Sequence, residues 1–250
     1  MGSAKDILLR PIAASDANTL VKRLHYSGKV TQNSQIHIGV FMGGRLLGAM
    51  QFGPSIDKRR MQGLVADTPW NGFIELNRMA FDERLPRNSE SRALGISMRL
   101  LRKNAPHLQW VVSFADGAQC GDGTIYRAAG FCLTGLRRNT SMIRLEDGSV
   151  VARKSLDNHI SPDGRYLSRT AREGGIKPID GYQLKYVYFL DPTARERLTV
   201  PILPFSAIDD AGARMYRGTR AGSVDSDAPT VPVGEGGASP TSALQGKDNG

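Results

Sequence analysis

The sequence contains very little cysteine. Cys120 and Cys132 are the two cysteines among 250 residues, and they do not form a Cys-x-x-Cys pair. This scarcity excludes a disulfide-rich secreted scaffold and a cysteine-based zinc module. We expect both residues to be thiols.

Long apolar runs are also missing. No stretch approaches the roughly 20 apolar residues that cross a bilayer. Near the N-terminus, Lys5 and Asp6 flank no apolar core of the kind found in secretory signals. We therefore expect no membrane partner and a location in the cytoplasm. Hydrophobic residues still make up 40% of the chain, which is enough for the core of one large domain or two small ones.

Acidic residues are scarce in the first part of the chain. Residues 1–205 contain 29 Lys and Arg against 18 Asp and Glu, a net charge of +11. This excess predicts a surface for polyanions, nucleic acid foremost, with salt-dependent binding. Any single basic cluster could instead be an ordinary solvated face. The clusters are Lys58-Arg59-Arg60, residues 99–103, Arg137-Arg138 and residues 165–172.

Large apolar residues are scarce again from residue 206 to residue 250, where Gly, Ser, Ala, Asp and Pro dominate. Such a composition cannot bury enough surface to offset the entropy of folding. The sequence therefore predicts one domain over residues 1–205 and a low-complexity, disordered tail over residues 206–250.

The remaining patterns predict an α/β fold. Gly43-Gly44 separates two alternating runs and is typical of a hairpin, and Ser15-Asp16 precedes a helical pattern. Strands are predicted at residues 7–12, 36–42, 45–52, 73–81, 110–116, from 131 onward and at 182–190. Helices are predicted from residue 15, at 90–104, 124–129 and 162–172, with a second hairpin turned at Asp147-Gly148.

Residues 109–131 have the layout of an acyl-transfer site. A buried strand ends at Asp116, and a glycine-rich turn then leads into a short helix that ends Tyr126-Arg-Ala-Ala-Gly-Phe131. Ligands of α/β folds bind where a strand's carboxyl end meets a helix start. The alternative is an ordinary turn in which Asp116 or Asp122 caps the helix.

The order of the predicted elements resembles the GCN5-related N-acetyltransferase fold, a mixed sheet flanked by helices. Ile125-Tyr126-Arg127-Ala128-Ala129-Gly130-Phe131 is similar to that superfamily's tyrosine-containing last helix. The resemblance implies that Tyr126 is a general acid for the leaving group. The alternative is a tyrosine packed under the next strand with its hydroxyl group hydrogen-bonded.

The loop that should cradle the pyrophosphate of coenzyme A departs from the superfamily pattern. It reads Leu-Pro-Arg-Asn-Ser-Glu-Ser-Arg-Ala-Leu-Gly over residues 85–95, with Glu90 near the expected phosphates and Ser97 at the last small position. Acetyl-CoA is therefore disfavoured as the donor. A phosphate could still be held at the helix start, or a serine could simply cap it. The candidate phosphate-binding residues are Arg87, Ser89, Ser91 and Arg92.

Three motifs together resemble the Mom family of phage DNA-modification proteins. They are His25-Tyr26-Ser27, the strand Phe-Ile-Glu-Leu-Asn-Arg-Met-Ala-Phe at residues 73–81, and Ser-Phe-Ala-Asp-Gly-Ala-Gln-Cys-Gly-Asp-Gly-Thr-Ile-Tyr at 113–126. The resemblance implies conversion of adenine in double-stranded DNA to N6-(carbamoylmethyl)adenine, which shields phage DNA from host restriction in the bacterial cytoplasm. It also implies functional roles for His25, Tyr26, Arg78, Asp116 and Tyr126.

Each of these residues has a chemical reason to be there. His25 could act as the base, with Asp116 orienting it or accepting a hydrogen bond from the amine. Arg78 could bind a phosphate or polarise a carbonyl, and Tyr26 could stack on an extruded adenine. We expect His25, Asp116 and Tyr126 to line one pocket. The alternatives are a helix cap at His25, an ion pair of Arg78 with Glu75 or Asp82, and a half-buried ring at Tyr26.

The sequence does not identify the cofactor. A carbamoylmethyl group has the atoms of a glycyl residue, so an activated glycyl donor, possibly glycyl-tRNA, is favoured over acetyl-CoA. No metal site is predicted; iron is a weak option, since His25, His37, Asp116 and Cys120 lack ligand spacing. The competing functions are an acetyl-CoA-dependent N-acetyltransferase for a protein or small molecule, and a noncatalytic DNA-binding module.

Overall fold

The computed structural model describes residues 2–117, 121–140, 142–145, 150–153, 178–216 and 219–220, with isolated positions between 156 and 176. The helices are α1 Ala14–Leu24, α2 Lys58–Gln62, α3 Ser89–Asn104, α4 Thr124–Ala128 and α5 Ser206–Asp210, with 3-10 helices at Ala4–Asp6 and Pro192–Arg197. The strands are β1 Leu8–Pro11, β2 Ile36–Met42, β3 Arg45–Gly53, β4 Phe73–Phe81, β5 Trp110–Asp116, β6 Cys132–Arg138, β7 Met142–Arg144, β8 Val150–Ala152, β9 Tyr182–Phe189, β10 Met215–Tyr216 and β11 Thr219–Arg220.

Seven strands form one mixed sheet in the order β1-β2-β3-β4-β5-β9-β6. Every neighbouring pair is antiparallel except β4 and β5, which run parallel. Those two strands pair only from Phe73 with Trp110 to Glu75 with Val112. Beyond Glu75 and Val112 both strands continue but no longer pair with each other. The sheet therefore opens into a gap at their carboxyl ends, where α/β folds bind ligands.

Helices cover both faces of the sheet. On the α3 face, Leu94 and Met98 of α3 pack in one core with Met50, Leu76 and Val111. On the opposite α1 face, Ala17 and Leu20 of α1 pack on Ala49. Further along that face, residues 61–65 and 194–200 cover the stacked rings of Phe73 and Trp110. Because strand side chains alternate, the face on which each strand residue lies follows from these cores.

The predicted fold class is confirmed by this sheet, and the predicted β2–β3 hairpin is present. Gly43 and Gly44 turn it with φ of 54° and 75°, a conformation that favours glycine. The helix predicted to be capped at Ser15-Asp16 begins at Ala14, with Ala13 as its N-cap. The predicted turn at Asp147-Gly148 and the predicted helix at 162–172 lie largely outside the described residues.

The first residues after the predicted boundary at residue 206 are folded. They form α5, and Ile208 and Ala213 are buried in the main core. Leu203, Phe205 and Ala211 pack against the same core, and average composition does not reveal such a short apolar segment. Residues 221–250 lie outside the described part of the chain. None of the helices described in the structure is both long and apolar enough to span a membrane.

Candidate active site at the gap between the parallel strands

The gap has two sides because side chains of β5 alternate. Val111 and Ala115 lie in the core under α3, and Val112 lies in the core of the opposite face. The pairing of β5 with β9 runs without a shift from Trp110 to Asp116. Ser113 therefore lies on the α3 face, whereas Phe114 and Asp116 lie on the α1 face.

Arg78 lies on the α1 face and holds the loop that follows α1. In the sheet, Arg78 is the cross-strand partner of Gln51 on β3. The side chain of Gln51 donates a hydrogen bond to the side-chain oxygen of Asn18 on α1 at 2.8 Å. The Arg78 Nε atom donates to the carbonyl of Lys29 at 2.8 Å, and a terminal nitrogen donates to the carbonyl of Asn77 at 2.6 Å. Asp82, the acid of one alternative ion pair, is paired with Arg84 at 2.7 Å and with Arg23 at 3.6 Å.

His25 ends α1 beside Arg78, and its hydrogen bonds define its tautomer. Its Nδ1 atom accepts the backbone N–H of Ser27 at 3.2 Å and lies 2.8 Å from the Ser27 hydroxyl. An acceptor nitrogen carries no proton, so the ring proton is on Nε2. Burial, aided by the charge of Arg78, lowers the pKa of His25 to about 4. At neutral pH the ring is a neutral Nε2–H donor, which fits the predicted base poorly.

Tyr26 offers a stacking surface next to His25. Its ring centroid is 4.3 Å from that of His25, and the residue is 51% exposed. An exposed ring supported by a second ring is suited to stacking on a nucleobase. The predicted role of Tyr26 is compatible with this position.

Tyr126 lies on the α3 face, where it is buried. The Ser113 hydroxyl donates to the Tyr126 oxygen at 2.9 Å, and the Tyr126 ring stacks on Tyr186 at 5.1 Å. Tyr186 in turn donates to the carbonyl of Asp122 at 2.6 Å. A Cβ atom on Gly123 would collide with the Tyr186 ring, and Gly123 has a φ of 78°. The glycine-rich turn therefore lets α4 start directly against this pair of rings.

The predicted residues lie on the two faces of the sheet. His25, Tyr26 and Arg78 belong to the α1 face, and the mostly buried Asp116 points to that face from β5. Tyr126 belongs to the opposite face. The gap beyond Glu75 lies between these two faces.

Glu75 is a residue that sequence reasoning treated only as a partner for Arg78. It occupies the last position at which β4 pairs with β5, at the edge of the gap, and it lies on the α1 face with Phe73. Burial raises the pKa of its carboxyl group, against smaller opposing effects of Ser55, Asn77 and Arg78. The Ser55 hydroxyl is near enough to act on this carboxyl group but has no partner in standard hydrogen-bond geometry. The feature of the sequence that could have indicated this residue is that Glu75 is the one acidic residue in the strand at residues 73–81.

A cavity of about 600 Å³ lies at the start of α3 on the Tyr126 side of the sheet. Ala128 of α4 forms part of its wall, and four cationic side chains surround it. A helix start with clustered cations favours phosphate groups. Ser89, also predicted to bind phosphate, does not line this cavity. It is fully buried, and its hydroxyl group donates a hydrogen bond to the carbonyl of Pro86 at 2.6 Å. The cavity is lined by the predicted residues Arg87, Ser91 and Arg92 together with Lys5 and Arg99.

Within the described residues, no group of three or more His, Cys, Asp or Glu is arranged to hold a metal ion. Cys120, one of the weak candidates for an iron ligand, lies outside those residues. The role of a metal therefore stays untested.

A seven-stranded mixed sheet that splits between two parallel strands, with helices on both faces, defines a mixed α/β protein. Solved structures with a similar fold include the ribosomal-protein-S18-alanine N-acetyltransferase of Escherichia coli, at 12% identity, 74% coverage of this chain, 94% of that chain and a TM-score of 0.41. A Bacillus subtilis acetyltransferase in complex with CoA has 11% identity, 73% and 97% coverage and a TM-score of 0.43.

The chain belongs to the Mom protein family. The family's model matches residues 6–207. The methylcarbamoylase Mom of Escherichia phage Mu is 32% identical over 203 residues, which cover 80% of this chain and 82% of that protein. The family resemblance seen in the sequence motifs is thereby confirmed.

Proposed function

We propose that this protein is a DNA-modifying transferase that converts adenine in double-stranded DNA to N6-(carbamoylmethyl)adenine. The observation that carries the proposal is the match, along most of both chains, to a protein named a methylcarbamoylase. The modified base would protect phage DNA from host restriction in the bacterial cytoplasm. The net charge of +11 over residues 1–205 supports a nucleic-acid substrate.

The two faces divide the work. The extruded adenine enters from the α1 face, where the exposed Tyr26 ring stacks on it and Arg78 neutralises an adjacent phosphate. The donor enters from the α3 face, with its phosphates in the cationic cavity at the start of α3. Acyl transfer takes place through the gap between β4 and β5.

The donor in this proposal is an activated glycyl ester, such as glycyl-tRNA. Adenine N6 attacks the glycyl carbonyl, so that a C–N bond forms and the ester C–O bond breaks. The free amine of the N6-glycyl product then attacks C6 through a five-membered ring and displaces the original nitrogen. The product is the N6-carbamoylmethyl group, and no oxidant or further nitrogen source is required.

The proton transfers follow from the described geometry. Glu75, with its raised pKa, takes the proton from N6 at the edge of the gap. The Nε2–H group of His25 donates a hydrogen bond to the developing oxyanion or to a ring nitrogen. Tyr126 protonates the departing ester oxygen and is resupplied through Ser113, its hydrogen-bond donor at 2.9 Å. Asp116 accepts a hydrogen bond from the exocyclic amine.

Isotope labelling tests the function and the donor together. DNA from cells that express the protein and are fed nitrogen-labelled glycine is digested to nucleosides and measured by mass spectrometry. We expect an adenosine enlarged by one glycyl residue, with the label on the nitrogen attached to C6. Label in the terminal amide would exclude the rearrangement, and unmodified adenosine would exclude the function.

An acetyl-CoA-dependent N-acetyltransferase is the second candidate. The cationic cavity favours it to the same extent, because a pyrophosphate would also bind at the start of α3. Purified protein incubated with acetyl-CoA and DNA or protein acceptors distinguishes the two. Acetylation of an acceptor without any modified adenosine would favour this candidate.

A further inference from the structure

Ile56 is the most exposed of the large hydrophobic side chains described, at 92%. It follows Ser55, which is buried, and precedes Asp57, which caps α2 by accepting the N–H of Arg60 at 3.3 Å. An isolated exposed apolar side chain is normal on a protein surface. The surroundings of Ile56 are what distinguish it.

The backbone under Ile56 is fixed to the candidate active site. Gly53 pairs with Glu75, and the Ser55 hydroxyl lies close to the Glu75 carboxyl group. Asn33, from the loop after α1, donates to the carbonyl of Pro54 at 3.2 Å. Ile56 therefore projects from a short anchored turn beside Glu75, at the rim of the α1 face.

Three basic residues follow Ile56 and Asp57 in the sequence. Lys58, Arg59 and Arg60 are the first three residues of α2, and the Lys58 ammonium group lies 4.5 Å from the centroid of the Trp70 ring. Lys185, the partner of Phe114 in the sheet, is close enough to Arg60 for their repulsion, added to burial, to lower the Lys185 pKa. This surface thus combines a net positive charge, three basic residues against Asp57, with one projecting aliphatic side chain. A duplex with a phosphate backbone and a stack of apolar base faces complements both features.

We propose that Ile56 inserts into the base stack of duplex DNA and occupies the space left by the adenine that enters the active site. The basic residues of α2 contact the phosphates beside the insertion point. This inference rests on the proposed function, because an extruded adenine is needed only if the base is modified. Extrusion is unfavourable because the adenine is unpaired and unstacked. An apolar side chain that fills the vacancy lowers the free energy of the extruded state and leaves the ground-state duplex unaffected.

The exposed Leu8 supplies a matched control. It is 71% exposed and lies on β1, the edge strand of the sheet, with β2 and β3 between it and β4. Leu8→Ala removes a similar exposed aliphatic group far from the gap. Both substitutions are at the surface, so both variants are expected to fold.

The experiment measures base extrusion and modification separately. Duplexes carry 2-aminopurine or adenine at a modified position identified from cellular DNA, either paired or mispaired. Extrusion of 2-aminopurine by the wild type should raise its fluorescence on binding, and we expect Ile56→Ala to reduce this rise. The same substitution should lower the modification rate of the paired adenine by about tenfold or more, with duplex affinity nearly unchanged. A mispaired adenine should restore the modification rate, since its extrusion costs less. Leu8→Ala should behave as the wild type.

Each other outcome counts against one specific statement. Equal extrusion by Ile56→Ala and the wild type, or an equal loss on paired and mispaired substrates, overturns the insertion. Extrusion that depends on Ile56 without any modified product would instead contradict the proposed chemistry. Modified product without any dependence on Ile56 leaves the function standing and removes the role of Ile56.

Discussion

The tautomer of His25 is set by Ser27, two residues further along the chain. The backbone N–H of Ser27 requires a lone pair on Nδ1, so the proton is on Nε2. Glutamine places an N–H donor at nearly the same position as Nε2. His25→Gln should therefore retain far more modification activity than His25→Ala. The activity is measured as modified deoxyadenosine formed per enzyme molecule per unit time. Equal loss in both variants would support the base role instead.

The lowered pKa of His25 also predicts a dependence of stability on pH. The folded pKa is about 4 and the ordinary value is 6.5, so the unfolded chain binds the proton first. The contribution of the neutral ring is complete above pH 6.5 and is lost as the pH falls toward 4, by about 3 kcal/mol at most. Between pH 7 and pH 4 the unfolding free energy of the wild type should therefore decrease more than that of His25→Gln. His107→Gln, at an exposed position, is the control and should follow the wild type.

Glu75 should be needed for chemistry but not for DNA binding. We expect Glu75→Gln to reduce modification by about a hundredfold or more, in line with loss of a general base. The wild-type rate should fall as the pH falls through the raised pKa of this carboxyl group, because the base must be ionised. Glu83→Gln, at an exposed position, should leave both properties unchanged. Normal modification by Glu75→Gln would exclude it as the base.

Tyr126 tests the opposite side of the reaction. Tyr126→Phe keeps the ring stacked on Tyr186 but removes the hydroxyl that accepts from Ser113. Modification should fall by about a hundredfold while DNA affinity is retained. Tyr188→Phe, whose ring contacts Phe131 on the same side, is the matched control. A Tyr126→Phe variant with full activity would leave this residue with a packing role only.

At the scale of elements, the sequence predicted most strands because alternation is strong where one face is buried. It also predicted the hairpin at Gly43-Gly44 and the short helix carrying Tyr126. The opposite placement of Asp116 and Tyr126 could not be predicted, because it depends on the face of the sheet against which α4 packs. Likewise, the tautomer of His25 and the burial of Glu75 depend on tertiary neighbours rather than on local pattern.

The short helix α5 predicts a difference between two truncations. Ile208 of α5 is buried in the main core, and burying such a side chain contributes about 1.5–3 kcal/mol. Removing residues 206–250 should therefore lower the unfolding free energy by at least that amount, whereas removing residues 221–250 should have little effect. Denaturant unfolding of the two truncated proteins makes the comparison. Equal stability of the two would show that α5 contributes nothing to the core.

At the scale of the whole molecule, positive charge occurs on both faces of the sheet. Arg59 and Arg60 belong to α2 on the α1 face, while Arg92 and Arg99 line the cavity at the start of α3. A protein that binds a duplex and a charged tRNA simultaneously needs two separate cationic surfaces, since each ligand repels the other. The opposite placement of the two clusters meets this requirement.

This arrangement predicts that DNA binding and donor binding can be weakened independently. Arg59→Glu with Arg60→Glu should raise the Kd for duplex DNA and make its salt dependence less steep, with glycyl-tRNA binding retained. Arg92→Glu with Arg99→Glu should raise the Kd for glycyl-tRNA, with binding of duplex DNA retained. Both double variants reverse two exposed charges, so each is the control for the other in titrations at two salt concentrations. If both variants lost affinity for the same ligand and kept it for the other, the two cationic clusters would belong to one binding surface, and transfer through the gap from opposite faces would be wrong.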